Sequence, residues 1–154
     1  MIRKIPHYNP FSNYHQAIKK LSDNDIRPTK QRMILAKLLF EKGDRHISAE
    51  EIYAEVRKED RKISLATIYN TLKQFTNLGL LKELVIDQNK SIYCTNLDSH
   101  YHLYIEDEGK IIDIPKENID LNIPEIPACL SLHNIDIIVR IRTSKDLPKN
   151  LKIN

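Results

Sequence analysis

Arg61-Lys-Ile-Ser-Leu-Ala-Thr-Ile-Tyr-Asn-Thr-Leu-Lys-Gln-Phe-Thr-Asn-Leu-Gly-Leu-Leu81 is the stretch on which the interpretation of the fold depends. Its large apolar residues recur at helical spacing: Leu65, Ile68, Leu72 and Phe75. This spacing predicts an amphipathic helix, and Ser64 is a residue type that caps a helix N-terminus. We therefore expect a helix from Ser64 to Gly79 with one buried stripe.

The opposite face of this helix is polar but carries no carboxylate. It contains Ala66, Thr67, Asn70, Lys73, Gln74 and Asn77, with Tyr69 on its flank. Amide, hydroxyl and amine groups without acids suit the major groove of DNA, whereas a solvated helix usually mixes both charge signs. An ordinary amphipathic surface helix is the alternative interpretation.

Composition limits the class of protein. A chain of 154 residues with 41% hydrophobic residues can bury a core in one domain or in two small ones. The sequence contains no run of 18 apolar residues, so we expect no membrane span. It also lacks a long apolar segment after Arg3 and Lys4, so we expect no secretory signal. The two cysteines form no disulfide framework. We expect a cytoplasmic protein with no membrane partner.

Charge is distributed unevenly along the chain. Residues 1–86 contain 16 Lys or Arg and 10 Asp or Glu, a balance of +6, whereas residues 87–154 contain 8 and 11, a balance of −3. A basic first half followed by an acidic second half indicates a polyanion-binding module joined to a second module.

The order of elements in the first half is that of a winged helix-turn-helix. Residues 1–12 are predicted to form a loose arm and 44–47 a turn. Helices are predicted over 13–21, from Thr29 to Gly43, from the capping box Ser48–Glu51, and from Ser64. Strand-like runs at 80–86 and 91–95 then predict a hairpin. We assign residues 1–95 to a DNA-binding domain.

The second half is predicted to be a small strand-rich domain over residues 100–154, joined by a hinge at 96–99. Strands are expected at 100–105, 110–114 and, from a period-2 pattern of Ile and Val, at 132–142. Three short strands are too few to be stable alone. Pairing with a second copy would complete the core and match a twofold DNA site.

Two histidines mark the candidate ligand site. His100 and His102 are two apart in a predicted strand, so both imidazoles point to one face, which suits a metal ion or a haem iron. Asp113 on the neighbouring strand could add a carboxylate. His46 could join only if the two domains fold against each other. Surface histidines are the alternative interpretation.

No arrangement of nucleophile and base is visible, and three glycines cannot supply a phosphate-binding loop. We therefore expect no enzyme. The rival hypotheses from other classes are a metal-dependent enzyme built on His100 and His102, and a protein-interaction module that only dimerises.

Several blocks of this sequence resemble the ferric uptake regulator family. They are Ile26–Arg32, His46–Tyr53, Ser64–Leu72 and Gly79–Leu81. Other blocks are closest to its haem-responsive iron response regulator subgroup: Leu38–His46, Thr95–Asn96, Asp113–Pro115 and Ile135–Arg142. The resemblance runs from about residue 13 to 143.

The resemblance implies an α+β fold: an N-terminal winged helix-turn-helix domain followed by a small α/β dimerisation domain. It implies a homodimeric transcription regulator, such as a repressor, that binds a double-stranded DNA operator. It places Arg27 in the minor groove, and Tyr69 and Asn70, with Thr67 nearby, on the recognition helix. Lys62 and Lys73, predicted from their positions, add phosphate contacts.

For ligands, the resemblance implies a regulatory metal site that combines four side chains: His46, His100, His102 and Asp113. It implies haem binding at His100 and His102 in the haem-responsive subgroup. Ile105 and Glu108 stand where metal-sensing members carry C-x-x-C, so no structural zinc is expected there. Cys94 stands where the family has an acidic ligand or neighbour.

The leading hypothesis is a homodimeric regulator of iron and haem homeostasis that responds to haem or iron. The alternative is a regulator of the same family that senses Mn²⁺ or Fe²⁺ directly and does not bind haem.

Overall fold

The computed structural model describes residues 10–144. The chain divides into two compact units, Met1–Leu97 and Asp98–Asn154, and the division falls within the segment expected to be a hinge. In the described part of the chain, no helix is both long enough and apolar enough to cross a membrane.

The first unit combines four helices with a three-stranded sheet. In chain order its elements are α1 (Pro10–Asp23), α2 (Lys30–Phe40), β1 (His46–Ile47), α3 (Ala49–Lys58), α4 (Leu65–Asn77), β2 (Lys82–Asp87) and β3 (Lys90–Cys94). The strands are antiparallel in the order β1-β3-β2. One apolar core joins the helices, and α4 contributes Ile68, Leu72 and Phe75 to it.

Side-chain caps fix where three of these helices begin, as the sequence predicts. The Thr29 hydroxyl accepts from the Arg32 amide, and Ser64 accepts from the Thr67 amide. Ser48 and Glu51 form a reciprocal capping box. These caps satisfy backbone N–H groups in the first turn of each helix, which have no partner within the helix.

Arg45 ties the loop before β1 to two helices. Its guanidinium donates to both carboxylate oxygens of Glu55 on α3, at 2.5 and 3.2 Å, and to the Leu38 carbonyl on α2. Lys42 adds a second cation at 3.2 Å from Glu55. The hydrogen bonds from Arg45 hold the pKa of the Glu55 carboxyl below its usual range, against the opposing effect of burial.

Glu55→Gln is therefore expected to destabilise the protein by about 1–2 kcal/mol near neutral pH. A depressed pKa in the folded state stabilises the protein above the usual value of 4.5, and this contribution is lost as pH falls through the folded value. The difference between variant and wild type should shrink on acidification. Urea unfolding at several pH values measures it. Glu59→Gln, in an exposed pair with Arg61, is the control and should change little.

The second unit is a small sheet. Its elements are β4 (His100–Ile105), β5 (Lys110–Pro115), a 3-10 turn (Lys116–Asn118) and β6 (Ile138–Ile141). The order is β5-β4-β6, with β4 antiparallel to β5 and parallel to β6. Glu106 pairs with Arg140 and Arg142, so the end of β4 is joined to β6 by charge as well as by backbone.

Two expectations for the first unit need correction. The arm predicted for residues 1–12 cannot include 10–12, because α1 begins at Pro10; residues 1–9 lie outside the described part. Proline is tolerated in the first turn of a helix, where its missing N–H would have no partner. Residues 44–47, predicted as a turn, end in β1, since His46 and Ile47 pair with β3.

Two expectations for the second unit also differ. The strand predicted over 132–142 spans only Ile138–Ile141. β6 pairs in parallel with four residues of β4, His102–Ile105, and this register sets its length. The α/β architecture implied by the resemblance is not seen either: within residues 98–144 the only helical segment is the 3-10 turn.

Candidate nucleic-acid interface and metal centre

The carboxylate-free face of α4 lies on the surface of the first unit. Asn70, Lys73 and Asn77 are exposed, and Tyr69 is 41% exposed. On the opposite stripe of this helix Ile68, Leu72 and Phe75 are buried in the core, and Leu65 is partly buried against it. The sequence-based prediction of which face points outward is therefore confirmed.

Two open grooves run along the sides of this face. The first, of about 540 Å³, lies between α2 and α4 and has no acidic residue in its lining, which is Thr29, Gln31, Arg32, Thr67, Asn70, Thr71, Lys73, Gln74 and Asn77. The second, of about 550 Å³, lies between α4 and the β2–β3 hairpin and includes Glu83 and Asp87. Asn70, Lys73 and Asn77 line both grooves, so they form a ridge between them.

The remaining predicted DNA contacts lie at helix starts. Arg27 is exposed just before α2, and Lys62 is exposed just before the Ser64 cap of α4. Thr67 is half-buried, and its hydroxyl lies 2.8 Å from that of Ser64. Thr67 therefore takes part in the cap as well as lining the groove.

Sequence reasoning missed one pair that shapes the groove between α2 and α4. The Arg32 Nε donates to Gln74 Oε1 at 2.9 Å, and a terminal nitrogen of Arg32 donates to the Arg27 carbonyl at 3.0 Å. The basic cluster at the start of α2 and the polar face of α4 were both visible in the sequence. Their contact depends on how the two helices cross, which no local pattern specifies.

A carboxylate also approaches this surface from α3. The Tyr69 hydroxyl donates to Glu50 Oε1 at 2.5 Å, and this bond raises the pKa of the Tyr69 phenol. The pKa of Tyr93, on β3, is raised to about 12, mainly by burial and next by the negative charge of Glu83. Both phenols therefore stay protonated at neutral pH.

In the second unit, strand register brings three potential ligands together. His100 and His102 alternate with Tyr101 along β4, so they share one face and Tyr101 lies on the other. His102 is directly opposite Asp113 on β5, which places that carboxylate on the same face. Both histidines are buried.

The three ligand atoms converge on one point. The Nε2 atoms of His100 and His102 are 2.9 Å apart, and Asp113 Oδ1 lies 3.3 and 3.6 Å from them. Nδ1 of His100 lies 2.7 Å from the Asp98 carbonyl. Because a carbonyl only accepts, Nδ1 carries the proton and Nε2 keeps its lone pair toward the other two atoms.

This spacing fits a divalent transition-metal ion. An ion with bonds of about 2.1 Å holds neighbouring ligand atoms about 3.0–3.4 Å apart, for octahedral or tetrahedral angles. Two imidazoles and one carboxylate on one side are a ligand set used by first-row divalent metals. His100, His102 and Asp113 can therefore hold such an ion.

The fourth predicted ligand, His46, belongs to the first unit. It is half-buried on β1, directly opposite the buried Cys94 on β3. Its role in metal binding stays a prediction.

Known proteins similar to this chain were found by sequence and by structure. The model of the ferric uptake regulator family matches residues 23–140. The peroxide-responsive repressor PerR of Staphylococcus saprophyticus is 36% identical over 104 residues, which are 68% of this chain and 70% of that protein.

Two solved structures share the fold. The Vibrio cholerae ferric uptake regulator, whose DNA-binding domains are described as structurally rearranged, matches with a TM-score of 0.63 and 24% identity over 82% of this chain and 98% of that one. A zinc-bound manganese uptake regulator matches with a TM-score of 0.57 and 25% identity over 83% and 98%.

Proposed function

Because the chain belongs to the ferric uptake regulator family, we propose that it is a homodimeric transcription repressor whose binding to DNA is controlled by a divalent metal ion. The observation that carries this proposal is the exposed, carboxylate-free ridge of α4 between two grooves.

In this proposal the first unit acts as a winged helix-turn-helix. α4 enters the major groove, and the β2–β3 hairpin lies against the DNA backbone. Tyr69, Asn70 and Thr67 contact base edges. Arg27, Lys62 and Lys73 contact phosphates or groove walls, and Arg32 joins them from the start of α2. Arginine and lysine at such positions give binding that weakens steeply with salt.

The second unit supplies the sensor and the dimer contact. His100, His102 and Asp113 would hold Mn²⁺ or Fe²⁺, and the bound ion would supply positive charge that joins β4 to β5. The support is their convergence within 3.6 Å and the similarity to a manganese uptake regulator. The prediction that His46 adds a ligand is tested by the Mn²⁺ affinity of His46→Ala.

Dimerisation is supported by apolar surface. Within residues 98–144 of the second unit, six large hydrophobic residues are exposed on a single protomer: Leu121, Ile123, Ile126, Leu130, Leu132 and Ile141. A second copy of the chain would cover such a surface, and a twofold dimer presents two α4 helices to a palindromic operator.

Selection from a random-sequence duplex library tests the function. Purified protein with Mn²⁺ should enrich a palindromic sequence, because two α4 helices related by a twofold axis read the same half-site in opposite directions. Recovery of unselected sequence alone would contradict the proposal.

Haem is the second candidate ligand, from the resemblance to the haem-responsive subgroup. The geometry favours an ion, because Asp113 Oδ1 lies 3.3 and 3.6 Å from the two Nε2 atoms, and a carboxylate with two imidazoles suits a divalent metal ion. Absorption spectroscopy separates the two: bound haem gives a Soret band that disappears in His100→Ala, and Mn²⁺ gives none.

A further inference from the structure

The Tyr69–Glu50 contact restricts what the tyrosine can recognise. A tyrosine hydroxyl has one proton to donate and lone pairs with which to accept. In this structure the proton is committed to Glu50 Oε1 at 2.5 Å, while Tyr69 as a residue is 41% exposed and lines the groove between α4 and the hairpin. The outward side of the hydroxyl can therefore only accept.

We propose that Glu50 is a positioning residue that makes Tyr69 a reader of base amino groups. This inference rests on the proposed DNA-binding function. In the major groove only adenine N6 and cytosine N4 donate hydrogen bonds. A hydroxyl held as an acceptor recognises these amines and cannot bond to a phosphate, to thymine O4 or to guanine O6 and N7, which are all acceptors.

The position of Glu50 is consistent with a role in base preference, and not with a role in strengthening DNA binding. It is exposed in the first turn of α3, and a carboxylate close to the DNA-facing surface repels phosphates. Its neighbour Glu51 is already used by the capping box with Ser48, so helix capping does not depend on Glu50.

Four variants test the inference by selection from a random-sequence duplex library, each with Mn²⁺. Glu50→Ala frees the hydroxyl proton, and the preference for an adenine or cytosine amine at one base pair of each half-site should fall on the order of fivefold. Glu50→Gln keeps an acceptor oxygen, so the preference should remain while overall affinity rises through the lost negative charge. Tyr69→Phe should lose the base preference. The double variant that combines Tyr69→Phe with Glu50→Ala should show the same loss as Tyr69→Phe alone.

Glu51→Gln is the matched control, since it removes the same charge one residue away and leaves Tyr69 untouched. It should leave the base preference unchanged. An unchanged preference in Glu50→Ala, or an equal loss in Glu50→Gln and Glu50→Ala, would overturn the inference while the DNA-binding function stands. Wild-type protein that selects no sequence would instead overturn the proposed function.

Discussion

Lys73→Glu is expected to abolish specific DNA binding near physiological salt. Lys73 lies on the α4 ridge and lines both grooves, so in the proposed complex its ammonium faces the DNA. Replacing it with a carboxylate changes the charge of each protomer by two, and the new negative charge repels the DNA phosphates. We expect affinity to fall on the order of a hundredfold or more for the dimer. Fluorescence anisotropy with the selected duplex measures it.

The milder Lys73→Ala tests the cause. Losing one phosphate contact on each protomer should lower the slope of log affinity against log salt by about two. Lys37→Ala is the control, because Lys37 is 63% exposed on α2 but lines a different cavity with Ile34 and Leu38. Equal effects of Lys73→Ala and Lys37→Ala would show that only net charge matters, and the assigned face would be wrong.

His102→Ala is expected to remove Mn²⁺ binding almost completely. Its Nε2 lies 2.9 Å from that of His100 and 3.6 Å from the Asp113 carboxylate, and it is one of the three metal ligands that we propose in the second unit. Loss of an outer-shell partner already costs 10–100-fold in affinity in metal sites, so we expect loss of a ligand to exceed about 100-fold. Isothermal titration calorimetry with Mn²⁺ measures the affinity directly.

Tyr101→Phe is the matched control for His102→Ala. Tyr101 is the adjacent residue, equally buried, but lies on the opposite face of β4 with its ring 5.4 Å from the Lys116 ammonium. Phenylalanine keeps that ring and should bind Mn²⁺ like the wild type. Mn²⁺ should also raise the melting temperature of wild type and Tyr101→Phe but not of His102→Ala. If Mn²⁺ stabilised His102→Ala as much as the other two proteins, the ion would bind at a site that does not include His102.

Local chemistry made much of the first unit predictable. Thr29, Ser48 and Ser64 cap α2, α3 and α4 with short-range bonds, so the sequence alone locates where these three helices begin. The apolar spacing of α4 then determines which face is buried, and the acid-free face follows by exclusion. The His100–His102 pair was predictable for the same reason, because strand alternation is local.

Long-range pairing was not predictable. β1 has two residues and exists only because β3 lies beside it, and β6 is limited by the part of β4 that it pairs with, His102–Ile105. The approach of Glu50 to Tyr69 and of Arg32 to Gln74 depends on how separate helices cross. None of these contacts leaves a periodic pattern in the sequence.

The most direct test of metal-controlled DNA binding is the affinity of the wild-type protein for its selected duplex, measured by anisotropy with Mn²⁺ and with a chelator. We predict tighter binding with Mn²⁺ by about 5- to 150-fold, the usual range of coupling between two sites, and no response in His102→Ala. Equal affinity with Mn²⁺ and with chelator in the wild type would contradict the account.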